Sequence, residues 1–194
     1  MSRWRWGEAW AEHFPGRFAQ LDYASFTAAT EWEQGSFRIF GKETPMPRLS
    51  AWFARDGLSY RYSGQQHRTQ AWEGPLASLG AELGSLCGAE FNSCLANLYR
   101  DGRDSMGWHA DDEKSLGPAP LIASISLGAS RRFQLRERNT RTKMLELELA
   151  HGDLLLMGGN LQQMTQHRIP RQPRIAQPRL NLTYRHILAG KTST

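Results

Sequence analysis

The sequence lacks the features that define several protein classes. Its 194 residues include only two cysteines, Cys87 and Cys94, too few for a disulfide framework, so we expect reduced thiols in a cytoplasmic protein. No apolar run approaches the roughly 20 residues of a membrane-spanning helix, and no apolar segment follows the first cationic residues, so we expect neither membrane association nor a signal peptide. The sequence also has no zinc-type cysteine cluster and no phosphate-binding glycine loop.

The composition is that of a globular protein with more basic than acidic residues. Hydrophobic residues make up 40% and charged residues 22% of the sequence. The length suits one domain with a core, so we predict a single domain over residues 1–194 and a monomer. The net charge of +5 suggests an anionic partner, but many basic proteins bind no nucleic acid.

The first half of the chain has a mixed pattern of predicted elements. Apolar residues at helical spacing predict a helix over residues 17–34, and a second helix over 73–87 begins at Gly74-Pro75 and ends near Gly88. Between the helices, the pattern predicts a strand at 37–40, a turn-rich loop at 41–47 and a hairpin over 49–62 that turns at residues 55–57.

The second half of the chain has a β pattern. Gly128, Gly152 and the Gly158-Gly159 pair are among the turn residues that separate its short apolar runs. Many short strands at this spacing indicate a sandwich, a barrel or a jelly roll. The predicted strands are 91–99, 120–127, 131–137, 143–149, 153–157, 165–169 and 180–187.

Three residues have the types and spacing of a metal site. His109 and Asp111 are two positions apart, so their side chains share one side of an extended backbone, and His167 has to be brought alongside by the fold. Two histidines and one carboxylate make the facial triad that holds non-heme Fe(II) and leaves open coordination positions. Because a His-x-Asp pair often arises by chance, the alternative is three unrelated polar residues near turns.

A second polar set occupies every other position of the last predicted strand. One face of that strand carries Arg179, Asn181, Thr183 and Arg185. Burial of this face without a partner is costly, and two planar guanidinium groups suit a dicarboxylate better than a single acid. The alternative is a strand whose polar face is solvated. Upstream, Asn97 and Tyr99 also share a face, as an amide and a phenol.

Taken in order, these motifs resemble the AlkB family of Fe(II)/2-oxoglutarate dioxygenases over roughly residues 36–187. The resemblance implies a mainly β fold with flanking helices (α+β) and a double-stranded β-helix, or jelly roll, as the catalytic core over 91–187. The motifs that carry the resemblance are Asn97-x-Tyr99, His109-x-Asp111 followed by Asp112 and Glu113, His167, and Arg179-x-Asn181-x-Thr183-x-Arg185.

The resemblance also implies the cofactors and the reaction. Fe(II) is expected on His109, Asp111 and His167. The implied reaction is oxidative demethylation of N1-methyladenine and N3-methylcytosine in DNA, a direct-reversal repair that consumes O2 and releases formaldehyde. The distal carboxylate of the co-substrate is assigned to Arg179 and the iron-binding end to Arg185, although the residues alone do not decide between them. The residues expected to contact 2-oxoglutarate are Asn97, Tyr99, Arg179, Asn181, Thr183 and Arg185.

Residues 36–62 are interpreted as a nucleotide-recognition segment. Phe40-Gly41-Lys42 resembles the apolar finger of the double-strand-active branch, which enters the gap left by a flipped base. Two tyrosines offer aromatic platforms, and a carboxylate beside the triad favours a cationic methylated base. The alternatives are packing roles for the aromatic residues and a solvated turn for the carboxylate. The expected substrate contacts are Phe40, Gly41, Lys42, Arg48, Tyr60, Tyr62 and Asp112.

Two arginine-rich stretches flank these motifs. One follows the third metal ligand with Arg168, Arg171 and Arg174, and the other runs over residues 131–138. For the stretch after His167, contacts with phosphate groups and ordinary solvated arginines are equally good explanations, whereas for residues 131–138 solvated arginines are the better one.

Two other functions remain open from the sequence. The same iron chemistry is compatible with a hydroxylase or demethylase that acts on RNA, a protein side chain or a small molecule. A nucleic-acid-binding β-barrel with an inactive metal set is the non-enzymatic alternative.

Overall fold

A computed structural model describes residues 1–28, 30–39, 41–56, 58, 61–62, 65–66 and 68–188. Short strands dominate the fold. In chain order they are β1 Ser2–Trp6, β2 Ala9–Phe14, β3 Ser36–Ile39, β4 Lys42–Pro45, β5 Leu49–Ala54, β6 Arg61–Tyr62, β7 Gln65–Gln66, β8 Thr69–Ala71, β9 Ser93–Tyr99, β10 Met106–His109, β11 Ile122–Gly128, β12 Arg131–Glu137, β13 Lys143–Leu149, β14 Leu154–Gly158, β15 Thr165–Ile169 and β16 Arg179–Arg185. The helices are α1 Tyr23–Thr27, α2 Gly74–Cys87 and α3 Leu161–Met164, with a 3-10 turn at Lys114–Leu116.

Two sheets pack face to face around the first core. The larger sheet has eight strands in the order β1-β2-β14-β11-β16-β9-β5-β8, and the smaller has four in the order β10-β15-β12-β13. Trp52 and Leu95 of the larger sheet share one buried cluster with Phe133 and Leu135 of the smaller sheet. This two-layer arrangement has the predicted mainly β architecture with flanking helices.

Helix α2 covers the other face of the larger sheet and forms the second core. Its residues Leu79 and Leu83 are buried in one cluster with Leu182 and Tyr184 of β16. The helix starts with a proline in its first turn and ends at Gly88, which adopts the left-handed conformation with φ +63°. The prediction of a helix over 73–87 is confirmed.

Strand β16 is buried along its whole length. Its apolar side chains Leu180, Leu182 and Tyr184 belong to the core below α2. Since neighbouring side chains of a strand point to opposite sides, its polar side chains point between the two sheets. The alternative of a solvated polar face is therefore wrong.

Several predicted elements in the first half of the chain differ from the structure. Among the described residues of 17–34, only Tyr23–Thr27 is helical, with Asp22 as its N-cap. Phe18 is fully buried, and its amide donates to Gly152 O at 2.8 Å, so a tertiary contact replaces the helical hydrogen bond there. Helical spacing of apolar residues did not distinguish this packed turn from a helix.

The predicted loop and hairpin before α2 are also wrong. β4 lies within residues 41–47, which were predicted to be a loop. It pairs with β3, with Ile39 opposite Lys42. β5 pairs with β9 and with β8, so both of its edges are occupied. The Arg61–Tyr62 strand pairs instead with Gln65–Gln66. Local turn residues could not reveal these pairings, because the partners of β5 lie far along the chain.

The β prediction after residue 91 is close to the structure. The strands predicted at 131–137, 143–149 and 165–169 are confirmed at both ends. The N-terminal strands β1 and β2, and the short β10, were not predicted. Within the described ranges, no helix combines the length and apolar character that crossing a membrane requires.

A buried carboxylate joins β2 to the turn before β14. Asp153 Oδ1 accepts from Gly16 N at 2.8 Å, and Oδ2 accepts from Ala150 N at 3.0 Å. His13 Nε2 lies 2.8 Å from the same Oδ2. Asp153 is 4% exposed, so water cannot replace these partners easily.

We expect Asp153→Ala to lower the free energy of unfolding by about 2–4 kcal/mol, because it leaves buried donors without an acceptor. Urea unfolding followed by circular dichroism measures this loss. The control is Asp56→Ala, which removes an exposed carboxylate and should change stability by less than about 0.5 kcal/mol. Equal stabilities of the two variants would contradict the bracing role of Asp153.

Candidate active site

A bulge in β10 turns His109 into the space between the sheets. Met106 pairs with Ile169 and His109 pairs with His167, with an irregular register between the two pairs. Residues three apart on a regular strand face opposite sides, yet Met106 and His109 both line the central pocket. The bulge therefore places the histidine inside and leaves Trp108 on the outer side.

The three predicted metal ligands lie together at this bulge. The rings of His109 and His167 have centroids 4.1 Å apart, with 58° between their planes. Phe133 stacks on His167 with a centroid distance of 5.5 Å and fixes the ring from the core side. Ligand atoms of His109, Asp111 and His167 all lie within 4.8 Å of one another.

Asp111 is held from two sides. Its Oδ2 accepts from Arg185 Nη2 at 2.7 Å, and both side chains are almost fully buried. Its backbone amide donates to Gln162 Oε1 at 3.1 Å, which connects the loop after β10 to α3. The other carboxylate oxygen, Oδ1, is buried and has no hydrogen-bond partner.

The electrostatics of the cluster favour the protonation states that metal binding requires. Burial raises the pKa of Asp111, but the positive charge of Arg185, assisted by the histidines, outweighs burial and lowers the pKa to about 2. Burial, and next the neighbouring His109, lower the pKa of His167 to about 3. Burial also lowers the pKa of His109. At neutral pH the set is therefore one carboxylate and two neutral imidazoles.

The donor atoms of the cluster fit a divalent cation such as Fe(II). Asp111 Oδ1 and His167 Nδ1 are buried without hydrogen-bond partners. His109 Nδ1 lies 2.9 Å from Gly107 O, and because a carbonyl only accepts, this nitrogen is the donor and Nε2 keeps its lone pair. A buried carboxylate oxygen without a partner is costly unless a cation meets it.

The polar face of β16 continues the pocket away from the metal cluster. Its register on β9 sets Asn181 opposite Asn97 and Arg179 opposite Tyr99. All four line the pocket that also contains the metal cluster. The structure thus brings both predicted sets, the ligands and the β9–β16 polar residues, into one cavity.

Arg179 is a buried cation with unused donors. It is 1% exposed, its Nη2 donates to Ser126 Oγ at 2.8 Å, and its Nε and Nη1 have no hydrogen-bond partner. Burial lowers its pKa to about 10, while the adjacent Tyr99 opposes this shift. A guanidinium in this setting requires an anion.

Asn181 and Thr183 are engaged within the protein. Asn181 Nδ2 donates to Ser124 Oγ at 2.8 Å and to Ile125 O at 3.0 Å. Its Oδ1 accepts from Thr183 Oγ1 at 3.1 Å. These hydrogen bonds brace the pocket wall, which both residues line, and their contact with 2-oxoglutarate stays a prediction.

Arg48, which was predicted as a substrate contact, lies inside the protein, and its contact with substrate stays a prediction. The side chain is 6% exposed, and its Nε donates to Asn97 Oδ1 at 2.8 Å. Its positive charge contributes to the lowered pKa of His109, after burial and other influences. Arg48 directly precedes β5, which pairs with β9, the strand that carries Asn97.

Arg131 supports the pocket residue Tyr99 from behind, although the sequence places it only in a basic stretch. It is completely buried, and its Nη2 donates to the carbonyls of Asp104 and Pro170 at 2.7 and 2.9 Å. The guanidinium carbons of Arg131 and Arg179 lie over the Tyr99 ring, 5.4 and 5.3 Å from its centroid. The alternation of the strand could have revealed its burial, because Arg131 is two positions from Phe133 and shares the inward face of β12 with it.

The predicted substrate contacts lie outside the pocket or outside the described residues. Asp112 is half-exposed and accepts from Arg138 Nη2 at 2.5 Å. Gly41 adopts φ +78° and Lys42 is exposed at the start of β4. Phe40 and Tyr60, together with the side chain of Tyr62, fall outside the part of the chain that the structure describes.

Comparisons with known proteins agree with this geometry. Residues 16–185 match the family described as the 2OG-Fe(II) oxygenase superfamily. Alpha-ketoglutarate-dependent dioxygenase alkB homolog 3 of Mus musculus is 40% identical over 152 residues, which cover 74% of this chain and 52% of that protein. DNA oxidative demethylase ALKBH2 of Mus musculus is 37% identical over 161 residues, which cover 79% of this chain and 67% of that protein.

The fold has a counterpart among solved structures. "The structure of OsALKBH1" matches with a TM-score of 0.62 at 17% identity, covering 91% of this chain and 97% of that one, which confirms the predicted jelly-roll core. The chain spans about half the length of the alkB homolog 3 proteins that it matches. The family match and these relatives establish that this chain belongs to the AlkB family of dioxygenases, which require Fe(II) and 2-oxoglutarate.

Proposed function

We propose that this protein demethylates alkylated bases in DNA by oxidation, with N1-methyladenine and N3-methylcytosine as substrates. One observation carries the proposal: a metal-type cluster and a buried guanidinium with unused donors share a single pocket. The first suits Fe(II) and the second suits the far carboxylate of 2-oxoglutarate. The relative named DNA oxidative demethylase supplies the substrate class.

In this proposal, each pocket residue has a defined task. His109, Asp111 and His167 hold Fe(II), and Arg185 keeps Asp111 ionised and oriented. When bound, Fe(II) and 2-oxoglutarate supply the O2-dependent oxidation of a C–H bond, with succinate and carbon dioxide as by-products. The three ligand residues line the pocket, so reactants can reach them from that side.

The β9–β16 wall binds 2-oxoglutarate. Arg179 pairs with the distal carboxylate, and Ser126 holds the guanidinium in place. The Tyr99 hydroxyl donates a hydrogen bond to 2-oxoglutarate. Asn97 offers its amide N–H groups, because its Oδ1 is occupied by Arg48. Asn181 and Thr183 keep this wall rigid through their shared hydrogen bonds.

The substrate is a base that carries a positive charge until its methyl group is removed. Hydroxylation of the N-methyl carbon gives an N-hydroxymethyl group, which leaves as formaldehyde and returns the neutral base. The Asp112 carboxylate, half-exposed and next in sequence to Asp111, attracts the cationic base and accepts from its exocyclic amine in exchange for Arg138. Residues 36–62 form the nucleotide-recognition segment, with Phe40-Gly41-Lys42 as its finger.

The remaining expectations concern the state of the protein in the cell. A cytoplasmic location accords with Cys87 and Cys94, which are both free. The monomeric state stays a prediction.

The proposal predicts that the protein with Fe(II), 2-oxoglutarate and O2 releases one formaldehyde and one succinate per repaired base. The measurement uses single- and double-stranded oligonucleotides that carry N1-methyladenine or N3-methylcytosine. Asp111→Ala should lower turnover by at least about 100-fold, since it removes a metal ligand. Glu82→Ala, which removes an exposed carboxylate from α2 far along the chain from the site, serves as the control and should retain full turnover.

The outcomes separate the competing functions. Succinate formation without repair of any oligonucleotide would reject the DNA substrate, and repair of methylated RNA alone would move the substrate to RNA. Full activity of Asp111→Ala would overturn the assignment of the metal ligands. Absence of all turnover in the wild-type protein would favour a binding protein.

Arg179→Met should raise the KM for 2-oxoglutarate by about 10- to 100-fold, because a charge-assisted pair with a carboxylate contributes roughly 1.5–3 kcal/mol. Methionine fills the buried site without an unpaired charge, so the variant should stay folded. Steady-state kinetics and thermal unfolding measure both effects. Arg17→Met, which removes an exposed arginine, is the control. An unchanged KM in folded Arg179→Met would refute this role.

Phe40→Ala should lower kcat/KM on double-stranded substrate at least about tenfold more than on single-stranded substrate, because only a duplex has a base stack to open. Phe37→Ala removes an exposed aromatic ring from β3 and is the control. Equal losses on the two substrates would remove Phe40 from base flipping.

A further inference from the structure

The outer face of the smaller sheet carries two arginines stacked on one indole ring. The guanidinium carbons of Arg136 and Arg168 lie 4.1 and 4.5 Å from the centroid of the Trp108 ring. The three residues come from the adjacent strands β10, β15 and β12. Stacking on an aromatic face holds a guanidinium plane in one orientation and leaves its N–H edge available to an acceptor. We call Trp108, Arg136 and Arg168 the stacked-arginine patch.

The arginines of this patch have no acidic partner among the described residues. Arg136 Nη2 donates to Gln166 Oε1 at 2.8 Å, and Arg168 Nε donates to Gln134 Oε1 at 2.6 Å, both neutral amides. By contrast, Arg132 on the same face of β12 pairs with Glu148. On this face, an acidic partner therefore compensates Arg132 near β13, whereas Arg136 and Arg168 have neutral partners among the described residues.

The positive charges at the β10 side also oppose one another. Partial desolvation, followed by the charges of Arg141 and Arg168, lowers the pKa of Arg136. Like charges held together on a solvated face are destabilising unless an anion lies between them. An anionic ligand would relieve this repulsion.

The position of the patch relates it to the pocket. Trp108 and Arg168 are direct neighbours of His109 and His167 in the sequence, and they lie on the other side of the same two strands. β10 is the edge strand of the smaller sheet. A flexible strand that places a base in the pocket can therefore pass round this edge and reach the patch within a few nucleotides.

We propose that the stacked-arginine patch binds phosphodiester groups of the nucleic-acid strand that flanks the modified base. This inference rests on the proposed function, because it takes the substrate to be a polynucleotide. Two fixed guanidinium groups suit the phosphates of a strand, and such contacts carry no sequence information. The patch thus supplies affinity for long substrates, while the pocket selects the base.

The test compares a methylated trinucleotide with a methylated single-stranded 15-mer on the double variant Arg136→Gln/Arg168→Gln. Glutamine keeps an amide donor but removes the charge. We expect the ratio of kcat/KM for the 15-mer to that for the trinucleotide to fall about tenfold, through KM. Fluorescence anisotropy with the 15-mer should show the slope of log affinity against log salt reduced by about 1.4, which corresponds to two phosphate contacts on a single strand.

The control is Arg132→Gln, which removes an arginine from the same face that already has an acidic partner. It should leave the length ratio and the salt slope unchanged. An unchanged salt slope in the double variant, or an equal loss of kcat/KM for the trinucleotide and the 15-mer, would overturn the proposal that the patch binds phosphates. The binding measurement does not require turnover, so wild-type protein that binds the 15-mer without repairing it would refute the proposed function and still test the patch.

Discussion

The buried ion pair between Asp111 and Arg185 is the interaction on which the site depends. It joins the loop after β10 to β16, a strand in the middle of the larger sheet, and so it connects the two sheets at the metal cluster. Burial of two charges is expensive, and an apolar pair of similar volume would often be at least as stable. The pair is therefore better explained by a role in metal binding than by stability. It keeps one carboxylate ionised in an apolar interior, with one oxygen left for a cation.

The rest of the interior follows from the same constraint. Strand β16 carries four polar side chains between the sheets, and each needs a partner that the chain or a ligand provides. Ser124 and Ser126 meet two of them from the neighbouring strand β11. The opposite face of β16 is apolar and packs below α2, which holds the strand in place. A rigid apolar layer thus supports a polar wall whose unsatisfied donors belong to Arg179.

The parts of the fold that could be predicted are those with a local signal. Strands β12, β13 and β15 have alternating patterns and turn residues at both ends, and helix α2 has a proline start and a glycine stop. The segment at residues 17–34 has apolar residues at helical spacing, but Phe18 is buried through a turn against Gly152. Pairing partners that are distant in sequence decided that segment and the hairpin before α2.

The sequence by itself determined which residue types are available to the site and how they alternate on β9 and β16. The family follows from those motifs in their order. Only the tertiary structure decided that a bulge turns His109 inward, that Arg48 lies buried against Asn97, and that Arg131 supports Tyr99 from the interior. The physical reason is that each of these positions depends on strand register and packing between segments far apart in the chain, which local spacing does not encode.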